Sequence, residues 1–240
     1  MEGALSGMAA ETTVGSPLRA LVDDLNERRE RVRAGGGEEK IKVQHERVKL
    51  TARERLDLLI DDGTFVELGI HGRPHFSQRA MEGVEAPADG VVTGYGRVDG
   101  RLVAVAAYDF TVMAGSMGMT GELKVGRLRD LALQKRMPLI WLLDSAGARI
   151  QEAVGSLFAG SGHLFREEVI MSGVIPQVAA LMGPCAAGTA YIPGLADFVP
   201  MVKGRGSMAL AGPYLVKAVT GEDVTQEELG GSKVHCRKSG

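Results

Sequence analysis

The sequence predicts a single α/β domain preceded by a helical extension. Three observations carry this. From Val91 onward, short apolar runs alternate with stretches of helical periodicity. The run Leu139 to Leu143 is apolar throughout, as in a strand buried on both faces. The 240 residues, 45% hydrophobic and 24% charged, suit one domain with a packed core.

The elements follow in order. Residues 1–15 hold two acidic residues, no Lys or Arg and no sustained apolar run, so they read as a flexible leader, neither a secretory signal nor an Arg-rich transit peptide. Residues 16–69 form the helical extension. Within it, Pro17 to Arg33 carries Leu18, Leu21, Val22 and Leu25 at helical spacing, and its charged far end reads as solvated. Gly35-Gly36-Gly37 ends that helix. Thr51 and Glu54 stand at capping-box spacing before the stripe Leu56, Leu59 and Ile60, and Asp61-Asp62-Gly63 stops the second helix.

Residues 70–90 carry Pro74, Gly83, Pro87 and Gly90 without periodicity and are expected to be a loop. His71 and His75 are four apart there, but Gly72 and Pro74 oppose a helix that would make them a metal pair. The domain proper, residues 91–240, opens with a hairpin: Val91 to Val98, an Asp99-Gly100 turn, and Arg101 to Asp109. A helix is expected over Gly121 to Arg136, a strand over Leu139 to Leu143, and a helix over Ile150 to Met171. A strand over Gln177 to Met182, a glycine-rich helix over Ala187 to Leu195, and short strands at Phe198 to Val202 and Ser207 to Leu210 complete the series.

Composition excludes several classes. A net charge of -2 gives no basic field for nucleic acid or an anionic membrane. Cys185 and Cys236 are far apart, which argues against a disulfide framework or a zinc module and fits a reducing, cytoplasmic setting. Val169 to Ala196 carries no charge over the length of a membrane span, but Pro176, Pro184 and Pro193 would break the helix. Glycine, 33 of 240 residues, is about twice its usual share.

Those glycines gather in three turns that join strands to helix starts: Ala114-Gly115-Ser116-Met117-Gly118, Asp144-Ser145-Ala146-Gly147-Ala148-Arg149, and Gly183-Pro184-Cys185-Ala186-Ala187-Gly188-Thr189. Backbone N–H groups at a helix start lack intrahelical partners and sit at the positive end of the helix dipole. Small side chains let a ligand oxygen approach them, which is how an oxyanion hole is built. Tight packing is the alternative use of such turns. The first turn also resembles a variant of the G-x-S-x-G elbow. Ser116 would then be a hydrolase nucleophile, with His163 or His235 as base and Asp144 or Asp197 as the acid. No phosphate-binding glycine fingerprint is present.

Several ordered motifs carry a family resemblance. Tyr108-Asp109-Phe110-Thr111 with Gly115-Ser116-Met117-Gly118, Asp144-Ser145-Ala146-Gly147-Ala148-Arg149-Ile150-Gln151-Glu152, and Gly183 to Tyr191 resemble segments of the carboxyltransferase (β) subunits of biotin-dependent acyl-CoA carboxylases. Leu50 to Arg55 and Ala88 to Gly96 match the same family's early helix and hairpin. Ala146 stands where that family commonly has glycine. The resemblance runs from about Lys40 to Gly240 and implies a crotonase-like fold. Family subunits hold two such domains, so this chain is expected to be an amino-terminal half.

The resemblance also implies the chemistry. A carboxyl group passes from carboxybiotin, carried on a partner protein, to the α-carbon of a short-chain acyl-CoA through an enolate. Backbone amides hold the negative oxygen, and no side-chain base is required. By position, Ala146, Gly147 and Ala148 give one set of donors, and Ala187 and Gly188 another, with Thr189 beside them. Ser116, Met117 and Gly118 are expected to border the CoA path. Arg149 and Glu152 read as a structural i, i+3 pair. The Lys203-Gly204-Arg205-Gly206 loop reads equally as a solvated turn or as a contact for CoA phosphates. No metal is expected. Expected partners are a biotin carboxylase or biotin carrier subunit and further copies of the chain, hexameric in the family. A biotin-dependent acyl-CoA decarboxylase subunit and a non-catalytic acyl-CoA-binding module stand as alternatives.

Overall fold

The computed structural model describes residues 17–74, 79–152 and 162–239. The leader and His75 lie outside them. Three helices come first: α1 (Pro17–Arg33), α2 (Glu38–Glu46) and α3 (Ala52–Leu59). The capping box of α3 is formed. Thr51 Oγ1 accepts from the Glu54 amide at 3.3 Å, and the Glu54 carboxylate accepts from the Thr51 amide at 2.7 Å.

A six-stranded sheet follows: β1 (Val66–Leu68), β2 (Val91–Val98), β3 (Arg101–Tyr108), β4 (Leu139–Ser145), β5 (Gln177–Ala186) and β6 (Ser207–Ala209). The strands lie side by side in that order, the first three antiparallel and the last four parallel, with β3 common to both sets. Asp99 (φ 50°) and Gly100 (φ 76°) give β2 and β3 the left-handed turn that matches strand twist. Parallel crossovers need a helix, and α4 (Met119–Lys135) and α5 (Gly162–Met171) supply the two that link β3, β4 and β5. Beyond β5 come α6 (Tyr191–Leu195), then α7 (Pro213–Thr220), α8 (Gln226–Gly230) and α9 (Ser232–Val234) after β6.

Strand alternation divides the core into two layers. Ala104, Ala106, Tyr108, Trp141, Leu143, Ala179 and Leu181 share one buried cluster with Val125, Leu128 and Leu164 of α4 and α5. Val103, Val105, Ala107 and Leu142 point the other way, against Ala52, Leu56 and Ile60. The α3 helix of the extension therefore covers the second face of the sheet, and β1, also in the stretch read as extension, pairs with β2.

Some expectations are corrected. Phe198 to Val202 is no strand; it makes only isolated bridges, Val178 to Phe198 and Leu181 to Met201. Pro200 removes an amide in its middle. Ile150 to Glu152 is a turn, not the start of a helix, and α5 is described from Gly162. The 70–90 stretch contains 3₁₀ turns at Arg79–Met81 and Pro87–Gly90. Among the described residues, no helix is long and apolar enough to cross a membrane.

Candidate active site

The three glycine-rich turns converge beyond the carboxyl ends of β3, β4 and β5. Met117 forms an isolated parallel bridge with Ala148. The Met117 amide donates to the Gly147 carbonyl at 2.8 Å, and the Arg149 amide to the Met117 carbonyl at 2.9 Å. Gly147 sits at φ 101°, and a Cβ there would stand 2.6 Å from the Ala186 carbonyl. Glycine thus lets the second turn lie directly against the third. A Cβ on Gly188 would find the Met117 sulfur at 3.6 Å and the Ala148 amide nitrogen at 3.8 Å. All three turns meet at this point.

The amides divide sharply. The Ala146 N–H donates to the Ala114 carbonyl at 2.9 Å, and the Gly147 N–H to Ser145 Oγ at 3.1 Å. Both hydrogens are occupied. The bonds of the Met117–Ala148 bridge run through the neighbouring residues, so the Ala148 N–H has no partner among the described residues. Gly188 is the second residue of the 3₁₀ turn Ala187–Ala190, where the amide has no intrahelical acceptor. Ala187, at φ 48°, sharpens the corner that presents it.

Met117, Gly118, Ala148 and Gly188 line one cavity of about 510 Å³, with Leu123 and Tyr191 among its apolar walls. Ser116 and Thr189 lie behind it. Ser116 Oγ accepts from Arg149 Nε at 3.1 Å, and the buried Thr189 hydroxyl donates to the Ala186 carbonyl at 2.9 Å. No described histidine is bonded to Ser116. The imidazole of His235 faces Ser239 and the Met208 carbonyl, Asp197 accepts from the Gln177 amide, and Asp144 is held by Gln44, Lys49 and Arg55. The serine-hydrolase reading is thereby overturned, because a triad needs a base on the nucleophile.

Arg149 is fully buried and ties the turns together. Its guanidinium pairs with Asp89 and, at 2.9 Å, with Glu152, and it donates to the Ser116 carbonyl at 3.0 Å. The other carboxylate oxygens cap α4: Glu152 accepts from the Met119 amide and Asp89 from the Gly121 amide, each at 2.6 Å. A Cβ on Gly118 would run into the Arg149 guanidinium, so this clasp requires glycine at that position. Burial raises the Asp89 pKa, with the Arg149 charge opposing. The i, i+3 pair was legible in the sequence; Asp89, 60 residues away, was not.

Below the cavity, Arg129 pairs with Glu122 and Glu167. Glu168, next along α5, is fully buried with neither carboxylate oxygen partnered among the described residues. Burial pushes its pKa up to about 8, Glu122 and Glu167 adding to the rise against Arg129. A folded-state value above the unfolded one stabilises the fold at low pH, and that contribution is lost as pH rises through about 8. Glu168→Gln, which cannot ionise, is expected to flatten this alkaline loss. Urea unfolding of both proteins between about pH 6 and 9 checks it; parallel losses would show that Glu168 does not titrate there.

The carboxyl transferase domain model matches residues 43–240. The chain is 49% identical over 220 residues to a propionyl-CoA carboxylase carboxyltransferase subunit of Haloferax mediterranei, covering 91% of this chain and 42% of that protein. It is 48% identical to methylmalonyl-CoA decarboxylase subunit alpha of Veillonella parvula, over 91% of this chain and 43% of the relative. The solved transcarboxylase 12S, a hexamer with methylmalonyl-coenzyme A bound, superposes with a TM-score of 0.89 at 43% identity, over 94% of this chain and 44% of that one. The chain thus spans less than half the length of these relatives, and its fold is crotonase-like. By domain match, sequence identity and fold together, it belongs to the carboxyl transferase domain family.

Proposed function

We propose that this chain supplies one half of a site that moves a carboxyl group from carboxybiotin to the α-carbon of a short-chain acyl-CoA. The observation that carries the reading is the Ala148 N–H, without a partner among the described residues, beside Gly188 at the wall of a largely apolar cavity. In the reaction the α C–H bond breaks, the carboxyl C–N bond breaks and a C–C bond forms. Negative charge develops on an oxygen meanwhile. Two fixed N–H donors in a dry site stabilise such an oxygen without reorganising. Carboxybiotin supplies the carboxyl group and then the nitrogen that takes the α-proton. Of the carboxylates that line the cavity, Glu152 is held by Arg149 and Met119, and Glu122 and Glu167 by Arg129. On this reading the biotin nitrogen is the base, and no side chain of this chain is assigned that role. Met117 and Gly118 border the acyl-CoA path.

The partners follow from the same reading: a biotin carboxylase or biotin carrier subunit, and further copies in a hexamer. A second reading, biotin-dependent decarboxylation of an acyl-CoA, is favoured by the 48% identity to the Veillonella subunit. One assay separates these. The chain is mixed with a carboxylated, labelled biotin carrier and propionyl-CoA, with and without the remaining half of a family subunit. Label is expected in the acyl-CoA only when both halves are present. Full transfer by the chain alone would overturn the half-site. Passage of the carboxyl group from methylmalonyl-CoA to the uncarboxylated biotin carrier, without forward transfer, would favour the decarboxylase.

A further inference from the structure

The ladder between β4 and β5 breaks just where the reacting corners begin. Leu139 to Leu143 pair in parallel with Gln177 to Leu181, but Ser145 then stands opposite Cys185. Two steps along β4 match four along β5, so β5 bulges at Met182 to Pro184. A bulge leaves residues without ladder bonds and re-aims the chain beyond it. Ala148 lies three residues after Ser145, and Gly188 three after Cys185. The spacing of these two corners therefore rests in part on the side chain that fills the break.

That side chain is Asp144, which is fully buried. A Cβ on Gly183 would overlap its Oδ1, and a Cβ on Gly115 would overlap its carbonyl oxygen. Asp144 thus lies against the first and third turns and begins the second. Every partner that the described residues give its carboxylate comes from the helical extension. Lys49 Nζ donates to Oδ1 at 2.7 Å, Arg55 to Oδ2 at 2.8 Å and Gln44 Nε2 to Oδ2 at 3.0 Å. The Lys49 ammonium also stands 4.5 Å from the centre of the Phe110 ring, just past β3. Apolar side chains of like volume stabilise a core as well as a buried ion pair, or better. What a cage of three donors supplies is a fixed position.

We propose that Asp144 is a positioning residue for carboxyl transfer: caged by Gln44, Lys49 and Arg55 of the helical extension, it sets the Ala148 amide against the Gly188 corner. The proposal rests on the transfer reading above. Asp144 touches no reacting atom. It acts through the main chain of the second turn, from the face of the sheet that α3 covers. An oxygen held between two amides loses stabilisation when either donor moves, and a misplacement of about 1 Å can cost about a hundredfold in rate.

The test measures steady-state transfer by an assembled enzyme carrying this domain, well below the unfolding midpoint of each variant. Asp144→Asn keeps the size of the side chain and removes the charge on which the three donors converge. It is expected to lower kcat roughly tenfold and to leave KM for acyl-CoA within about twofold. A double-mutant cycle with Ala148→Pro separates positioning from general damage. With the Ala148 amide deleted, Asp144 has nothing left to position, so Asp144→Asn is then expected to lower kcat less than about twofold. A structural fault would cost the same factor in both backgrounds, and that result would overturn the proposal, as would a rise in KM at unchanged kcat. Should Asp144→Asn fail to assemble, Gln44→Leu runs the same cycle. It removes the 3.0 Å donor without changing charge, with an expected loss of about threefold. Unchanged kcat in both variants would overturn the positioning role and leave the transfer reading standing. No transfer by the wild-type assembly would overturn both.

Discussion

Ala148→Pro is expected to lower kcat/KM for acyl-CoA carboxylation at least about a hundredfold in an assembled enzyme carrying this domain, about 3 kcal/mol of transition-state stabilisation. Proline deletes an amide hydrogen that has no partner among the described residues. The adjoining bonds, Met117 to Gly147 and Arg149 to Met117, do not involve the Ala148 amide and survive the change. The unfolding midpoint is therefore expected to shift little. Ala146→Pro provides the contrast. Its amide is bonded to the Ala114 carbonyl at 2.9 Å, so this variant loses a structural hydrogen bond, about 1 kcal/mol of stability, and keeps more of the transfer rate. Steady-state carboxylation and thermal unfolding of both variants check the pair. Equal loss of transfer in the two would remove Ala148 from the reacting centre.

That contrast also marks where sequence reading ends. Glycine spacing identifies three corners that can expose amides, and the corners do meet. Which amide is free depends on which carbonyl arrives opposite, and Ala114 is 32 positions before Ala146. Local chemistry was legible: the Asp99-Gly100 hairpin, the capping box of α3, the apolar run of β4. Each is decided by neighbours in the chain. The α2 helix was not legible, because Glu38–Glu46 is charged along most of its length and buries only Gln44. It holds because Gln44 reaches Asp144 at 3.0 Å, across 100 positions. The three-residue β1 escaped for a similar reason: one exposed and two half-buried residues show no period, and pairing to β2 makes it a strand. The family motifs added what periodicity lacks, since they bring long-range partners along with the local pattern.

The second large effect is on stability. Arg149→Met is expected to destabilise the domain by about 3–5 kcal/mol, because it leaves Asp89 and Glu152 buried without their cation. The loss should depend on pH in a defined direction. Burial already raises the Asp89 pKa in the folded protein, and Arg149 opposes that rise. Without the guanidinium the folded-state value climbs further above the unfolded one. A carboxyl shifted that way supports the fold while protonated, below its unfolded pKa, and loses that support as pH rises through the folded value. The deficit relative to wild type is thus expected to be smaller in acid than near pH 8, as read from denaturant midpoints. A deficit independent of pH would mean that the lost packing of Arg149, and not the stranded carboxylates, sets the cost. The same carboxylates hold the Met119 and Gly121 amides at the start of α4, and Arg149 holds Ser116. One buried arginine therefore fixes both the helix start and the Met117–Gly118 edge of the cavity, so the shape of the candidate site and the stability of the fold are set by the same contacts.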